Sequence, residues 1–305
     1  MDDRLLVLNR DADCVSVFDP ASGDPLHEIE TDFDPCEIET SPDGSKSYVT
    51  CGSGDCLNII DNETFQITGQ IDHELFDRPN GLVVRERANE LWLVSEKNSQ
   101  LFVFDIETDA LLDVIETHQD RSHMLALNAD ESRLYVANSS GKTLTVIDCD
   151  ERRVSVDVPV GNGPKGVGVN PETDNVYIAV RDESKLLILD PKQLEVAYRT
   201  ELGTTPTRVE FSPQQTLALV PNQSSNDVSV IETRFPRNGT LRPWEVQRIP
   251  VGIRPGGVVF NGDGSMAYVA NTKSNDVSVL DMTERREQFR IDTHTHPNGI
   301  TYVTR

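Results

Sequence analysis

A short apolar run closed by an acid recurs seven times along this chain, and its spacing restricts the fold more than any other feature. The copies occupy residues 15–19, 57–61, 101–105, 144–148, 186–190, 228–232 and 277–281, at intervals of 42, 44, 43, 42, 42 and 49 residues. Each run is too short for a helix and has strand length. Other strand-like segments keep step with it. One precedes it directly, as at 47–50, 134–137 and 267–270. A second comes before that, usually introduced by proline, as after Pro79, Pro164 and Pro255. Turn residues such as Pro42, Asp43 and Gly44 separate the two. Four strands per unit and a period in the low forties predict seven blades of a β-propeller, all-β, in one domain over 1–305. The strands are lettered A to D from the axis outward.

The two ends read as halves of one blade. The chain begins with strands B, C and D (5–8, 15–19, 26–30) and finishes with a lone strand A (298–303). Pairing them completes the ring and removes two open sheet edges. The 49-residue interval holds extra sequence at 235–244, read as an insertion between strands C and D on the face away from the strand A entrance.

The 305 residues carry a net charge of −23, with 51 acids against 28 bases, of which 7 are Lys and 21 Arg. Such a field argues against nucleic acid and anionic membranes as partners. With lysine this scarce, it suggests a halophilic protein, soluble where salt screens self-repulsion. No apolar stretch reaches membrane-helix length and no secretory leader opens the sequence, so the expected location is cytoplasmic. A closed ring leaves no edge to pair, so a monomer is expected.

Tyr48, Val49 and Thr50, the Tyr-Val-Ala-Asn phrases at 135–138 and 268–271, and the Ser-Asn-Asp-Val-Ser-Val phrases at 225–230 and 274–279 carry a resemblance. The chain resembles the YVTN-repeat β-propellers, a group close to the lactonase-type seven-bladed propellers. The resemblance covers nearly the whole chain. It implies the fold and no catalytic set, because the motif residues are structural.

Several motif matches fall away on physical grounds. Residues 161–166 match GxGxxG, but a strand follows where a dinucleotide site needs a helix. The acids closing strand C are expected to cap the next turn. Five cysteines (14, 36, 51, 56 and 149) in a chain this long do not form a disulfide framework, and free thiols are expected.

The functional signal lies where the repeat breaks its own rule. Near the start of strand A, Gly81, Gly166, Gly257 and Gly299 occupy a slot held elsewhere by Glu37, Met124 and Arg208. Glycine suits crowding at the axis, so large residues there mark a site. One residue earlier stand Cys36, Asn80, His123, Lys165, Thr207, Gly256 and Asn298. The ends of strand B, read as Asn9, Cys51, Glu96, Asn138, Arg181, Asn222 and Asn271, reach the same face. Asn80, Glu96, Lys165, Arg181, Asn222, Asn271 and Asn298 are therefore candidate ligand contacts at an axial funnel. Glu37, His123 and Arg208 are the candidate catalytic groups.

Two functions fit. One is a binding propeller that holds a small polar or anionic ligand at the mouth, or docks a protein on its rim. The other is a lactonase- or lyase-like enzyme, with His123 or Glu37 as base and Lys165, Arg181 or Arg208 stabilising developing negative charge. A divalent metal could enter through His294 and His296, spaced to share one side of an extended segment, meeting Cys36 and Cys51. A purely structural scaffold is the third reading.

Overall fold

The computed structural model describes residues 3–234 and 244–304. Seven four-stranded antiparallel sheets stand in a ring. Six are continuous in sequence. In the seventh, Pro297–Val303 pairs with Arg4–Asn9, which pairs with Cys14–Phe18 and then Pro25–Glu30. The blades are numbered from the one that opens with Pro35–Thr40, so this closing blade is blade 7. Of the insertion, only Trp244 lies within the described residues, at the start of Trp244–Pro250, strand D of blade 5.

The apolar core is divided among the blade interfaces. Among the described residues, buried side chains group into seven clusters, and each joins two adjacent blades. The middle strands are buried on both faces. Thus Glu90–Ser95 and its neighbour Gln100–Asp105 pack fully buried Trp92 toward one blade and Phe102 toward the other. The acids ending strand C do cap turns: Asp61 accepts from the Glu63 and Thr64 amides at 2.9 and 2.7 Å, and Asp105 from that of Thr108 at 2.8 Å.

Strands A of neighbouring blades touch around the axis, where the glycine rule acquires a geometric cause. A β-carbon on Gly81 would lie 2.3 Å from the His123 carbonyl, and one on Gly166 2.5 Å from Cα of Arg208. At Gly299 it would lie 2.6 Å from the Cys36 carbonyl. Each of these glycines makes room for the blade that follows, and those blades carry Met124, Arg208 and Glu37. Large and small therefore alternate around the ring. Seven is odd, so one glycine pair must be adjacent: Gly257 faces Asn298 beside Gly299, with 2.1 Å available.

Candidate functional site

Every blade enters strand A through the same kink. The residue just before the strand has a left-handed φ: Asp34 (62°), Arg78 (62°), Arg121 (57°), Gly163 (72°), Thr205 (64°), Arg254 (61°) and His296 (60°). This conformation is rare for residues other than glycine. A register shift follows in six blades, as between Pro35 and Glu37 or Ser122 and Met124. The kink brings four of these residues, Arg78, Arg121, Arg254 and His296, to the mouth. The bulge does the same for the residue just inside it. In blade 5 the ladder is reduced to a Pro206–Asn222 bridge and Glu210–Phe211, which leaves Arg208 in unpaired backbone able to reach across the axis.

The result is a polar cavity of about 300 Å³. Seven cationic side chains line it: Arg10, Arg78, Lys97, Arg121, Lys165, Arg208 and Arg254. His123 and His296 join them, against only two acids, Glu37 and Glu96. A quarter of the chain's 28 bases thus converge on one opening of a molecule with net charge −23.

Much of this charge is held in place. Glu96, 4 % exposed, takes Arg78 at 3.2 Å and Arg121 at 3.1 Å, and its carboxylate accepts from Asn80 Nδ2 at 3.4 Å. Asp34 takes Arg10 at 2.5 Å and Arg78 at 3.1 Å, and Asp77 takes Lys97 at 3.0 Å. Lys165 and Arg254 have no such partner among the described residues. Burial, with Arg181 and Arg208 nearby, pushes the Lys165 amine down to about 8. Burial and the cations Lys165, Arg208, Arg121 and Arg181 hold His123 well below its ordinary range, so the ring is neutral at pH 7. Its Nδ1 and the Asn80 Oδ1 are buried without a hydrogen-bond partner among the described residues.

Arg208 pairs with Glu37 across the axis, and with Met124 the pair forms a septum. These are the three residues that break the glycine rule. Beyond the septum lies a second cavity of about 500 Å³, lined by apolar side chains together with Glu39, Glu86, Glu131 and Glu210. Burial pushes Glu39 up to about 8, helped by Glu210 and Glu37, and burial alone pushes Glu210 up to about 7. The axial channel is thus cationic at one end and holds carboxyls that resist ionisation at the other.

The structure gathers Glu37, Asn80, Glu96, His123, Lys165, Arg208 and Asn298 at the mouth. Arg181 lies outside the lining, paired with Asp182 at 2.8 Å, though its charge acts on His123 and Lys165. Asn222 and Asn271 correct the sequence reading: both are fully buried and turned into their blades. Asn222 donates to Asp227 (2.7 Å) and Ser229 (2.8 Å), and Asn271 to Asp276 (2.6 Å) and Ser278 (2.9 Å). The cause is a one-residue offset, which in a strand reverses the side chain. The true structural equivalents of these asparagines are Asn9, Cys51, Ser95, Asn138 and Val180. The next residue faces the mouth, as Arg10, Glu96, Gln223 and Thr272 do. Sequence reasoning missed the position before strand A as well, although its seven-fold recurrence before the strand was open to alignment.

The expected metal set does not assemble. His296 has a left-handed φ of 60°, so the segment from His294 is not extended, and the two rings take different partners. His296 Nδ1 meets Asp11 at 3.1 Å, and His294 Nε2 meets Glu28 at 2.7 Å. Cys36 donates to the Asp34 carbonyl at 3.1 Å, and Cys51 points into the sheet toward Asn58 at 3.3 Å. All five cysteines are buried free thiols.

No family model matches the chain. Antigen Lp49 of Leptospira interrogans is 20 % identical over 57 % of this chain and 42 % of its own length. The uncharacterized protein YncE of Salmonella typhimurium is 23 % identical over 58 % of this chain and 54 % of its own. The chain matches about half the length of these relatives. Three solved structures share the architecture. A functionally unknown protein from Desulfotomaculum acetoxidans superimposes with a TM-score of 0.83 at 13 % identity, covering 98 % of both chains. Kuenenia stuttgartiensis hydrazine synthase gives 0.80 at 17 % identity, over 92 % of each. A putative 6-phosphogluconolactonase from Bacteroides fragilis gives 0.79 at 15 %, over 99 % of this chain and 98 % of that one. At such identities the likeness is one of fold. Taken with the repeats, the chain is a seven-bladed β-propeller that fits the YVTN-type propeller family.

Proposed function

We propose that this propeller binds a small, hydrophilic polyanion, carboxylate- or phosphate-bearing, in the mouth cavity. The observation that carries this reading is the ratio of seven cations to two acids at one opening of a strongly acidic molecule, with Lys165 and Arg254 unpartnered there among the described residues. The volume sits at the lower end for ligand sites, and the polar lining suits a ligand without a large apolar body. The surrounding negative field makes the cationic mouth the place where an anion can settle.

A titration of tag-free protein at low ionic strength, with citrate, a sugar phosphate and a neutral sugar of the same size, tests this. The two anions are expected to bind and the neutral sugar not to. Lys165→Met or Arg254→Met is expected to weaken anion binding about 10-fold or more, the loss of one charge-assisted contact. Equal binding of the neutral sugar, or no anion binding, would sink the reading.

A second reading is favoured by His123, a neutral imidazole with a free buried nitrogen among cations. Such a group can act as a base toward an anionic lactone while Lys165 and Arg208 steady developing charge. The putative lactonase among the structural neighbours is in keeping with it. Product formed from a sugar-phosphate lactone, and lost in His123→Asn, would select this reading over binding alone.

A further inference from the structure

Blades 6 and 7 differ at one pair of equivalent positions, and the difference leaves a set of metal-ligating groups on the seam where the chain closes. In blade 6, Asp276 follows the buried Asn271 by five residues and takes its amide at 2.6 Å. Across the strand, Arg290, opposite Ser278, reaches Asp276 at 3.4 Å. Arg290 also holds Glu287 at 2.7 Å, so one base offsets the acids around Asp276. In blade 7 the same offset from Asn9 leads to Cys14, which the Asn9 amide meets at a looser 3.6 Å. The position opposite Ser16, equivalent to Arg290, holds Glu28. A thiol and a carboxylate therefore stand where blade 6 has an ion pair, and among the described residues no arginine or lysine pairs with either.

A third ligand-type group closes over them. His294 belongs to the connection that leads into the final strand, and Thr293 anchors that connection by donating to Asn9 Oδ1 at 2.9 Å. The corresponding position in the connection before blade 6 is Gly252, where a β-carbon would meet Asn271 at 2.5 Å. In blade 7 a histidine occupies it, with Nε2 2.7 Å from Glu28. The Sγ, carboxylate oxygen and ring nitrogen all lie within 4.8 Å of one another. Cys14 is buried, whereas Glu28 and His294 are exposed, so an ion has a path in.

We propose that Cys14, Glu28 and His294 bind one borderline-soft divalent cation of the zinc class. Thiolate, carboxylate and imidazole together are a zinc-type donor set, with the solvent side left for a water as fourth ligand. As the sulfur–metal bond forms, the Cys14 thiol loses its proton to solvent. Glu28 and His294 give up their mutual contact and each turns a lone pair to the ion. Two ligands come from the beginning of the chain and the third from its end, so the ion would clip the closing blade where its two segments meet. It would also neutralise Cys14 and Glu28, the task Arg290 performs for Asp276.

Titration of tag-free, reduced protein with Co²⁺, read by absorbance, tests this directly. One equivalent is expected to give a thiolate-to-cobalt charge-transfer band, displaced by Zn²⁺, and Zn²⁺ is expected to raise the thermal midpoint. Cys14→Ser, nearly isosteric and so expected to fold, should lose the band. His294→Gln, at an exposed residue, should weaken binding by more than the roughly 10-fold typical of losing an outer-shell partner. His296→Gln and Cys36→Ser should leave both unchanged. A wild-type protein without the band, or a band that survives Cys14→Ser, would overturn the proposal.

Discussion

Removing residues 297–305 is expected to abolish cooperative folding, giving a protein that is insoluble or associates through open sheet edges. The segment is the innermost strand of blade 7 and pairs along Arg4–Asn9. Ile300 belongs to the cluster shared with blade 6, and Val303 to the one shared with blade 1. Tyr302 stacks on Tyr268 at 5.8 Å and donates to Asp3 at 2.5 Å. Uncovering such side chains costs roughly 1.5–3 kcal/mol each. The backbone of Arg4–Asn9 loses its partners as well. Together these losses rival the roughly 5–15 kcal/mol that holds a typical domain folded. Two further blades would also lose a neighbour at the axis. Circular dichroism and size-exclusion chromatography of the truncated chain read the outcome. A monomer with an unchanged, cooperative melt would show that the ring does not depend on this closure.

Glu37→Gln is expected to change stability and binding in opposite directions. Glu37 is 5 % exposed and pairs with Arg208, itself only partly exposed. Breaking the pair leaves a guanidinium in the septum without its carboxylate, at a cost of roughly 2–4 kcal/mol, tempered by the cavities on either side. The same change removes one of two acids from a mouth with seven cations, and frees Arg208 to turn toward a ligand. Citrate affinity should therefore rise by about 3- to 10-fold even as the thermal midpoint falls, since a partly screened charge contributes on the order of 1 kcal/mol. Chemical denaturation and calorimetry measure the two effects separately. Loss of both stability and affinity would mean that the pair positions the site and does not compete with the ligand.

How far the sequence reached follows from what its repeat encodes. The period of the C-strand runs specified seven blades, and the three strands at one end with the lone strand at the other specified their closure, because both are set by strand length and edge pairing. The glycine slot pointed to Glu37, Met124 and Arg208, since crowding at an axis is a local steric rule. What the sequence could not show was their mutual contact: Arg208 lies 171 positions from Glu37 and meets it only because the ring places blades 1 and 5 across the channel. Asn222 and Asn271 went astray for the opposite reason. Their environment is local, and one residue of misalignment exchanges blade interior for mouth. Arg78 and Arg254 escaped notice because their role depends on a left-handed kink before strand A, at a position where a following proline ordinarily favours extended backbone, and Arg10 because the end of strand B was read one residue early. His294 and Cys14 stand far apart in sequence and meet only at the seam.

The most direct test of an anion-binding mouth is the proton count on citrate binding, from calorimetry at pH 8 in buffers of different ionisation enthalpy. Burial and the neighbouring cations push the Lys165 amine down to about 8 in the free protein, so part of the population carries a neutral amine at that pH. A bound anion favours the charged form, so binding there should take up protons, and clearly fewer at pH 6, where the amine is already charged. Lys165→Met should abolish the uptake. Heats at pH 8 that do not depend on the buffer, or uptake that persists in Lys165→Met, would contradict a ligand seated against this mouth.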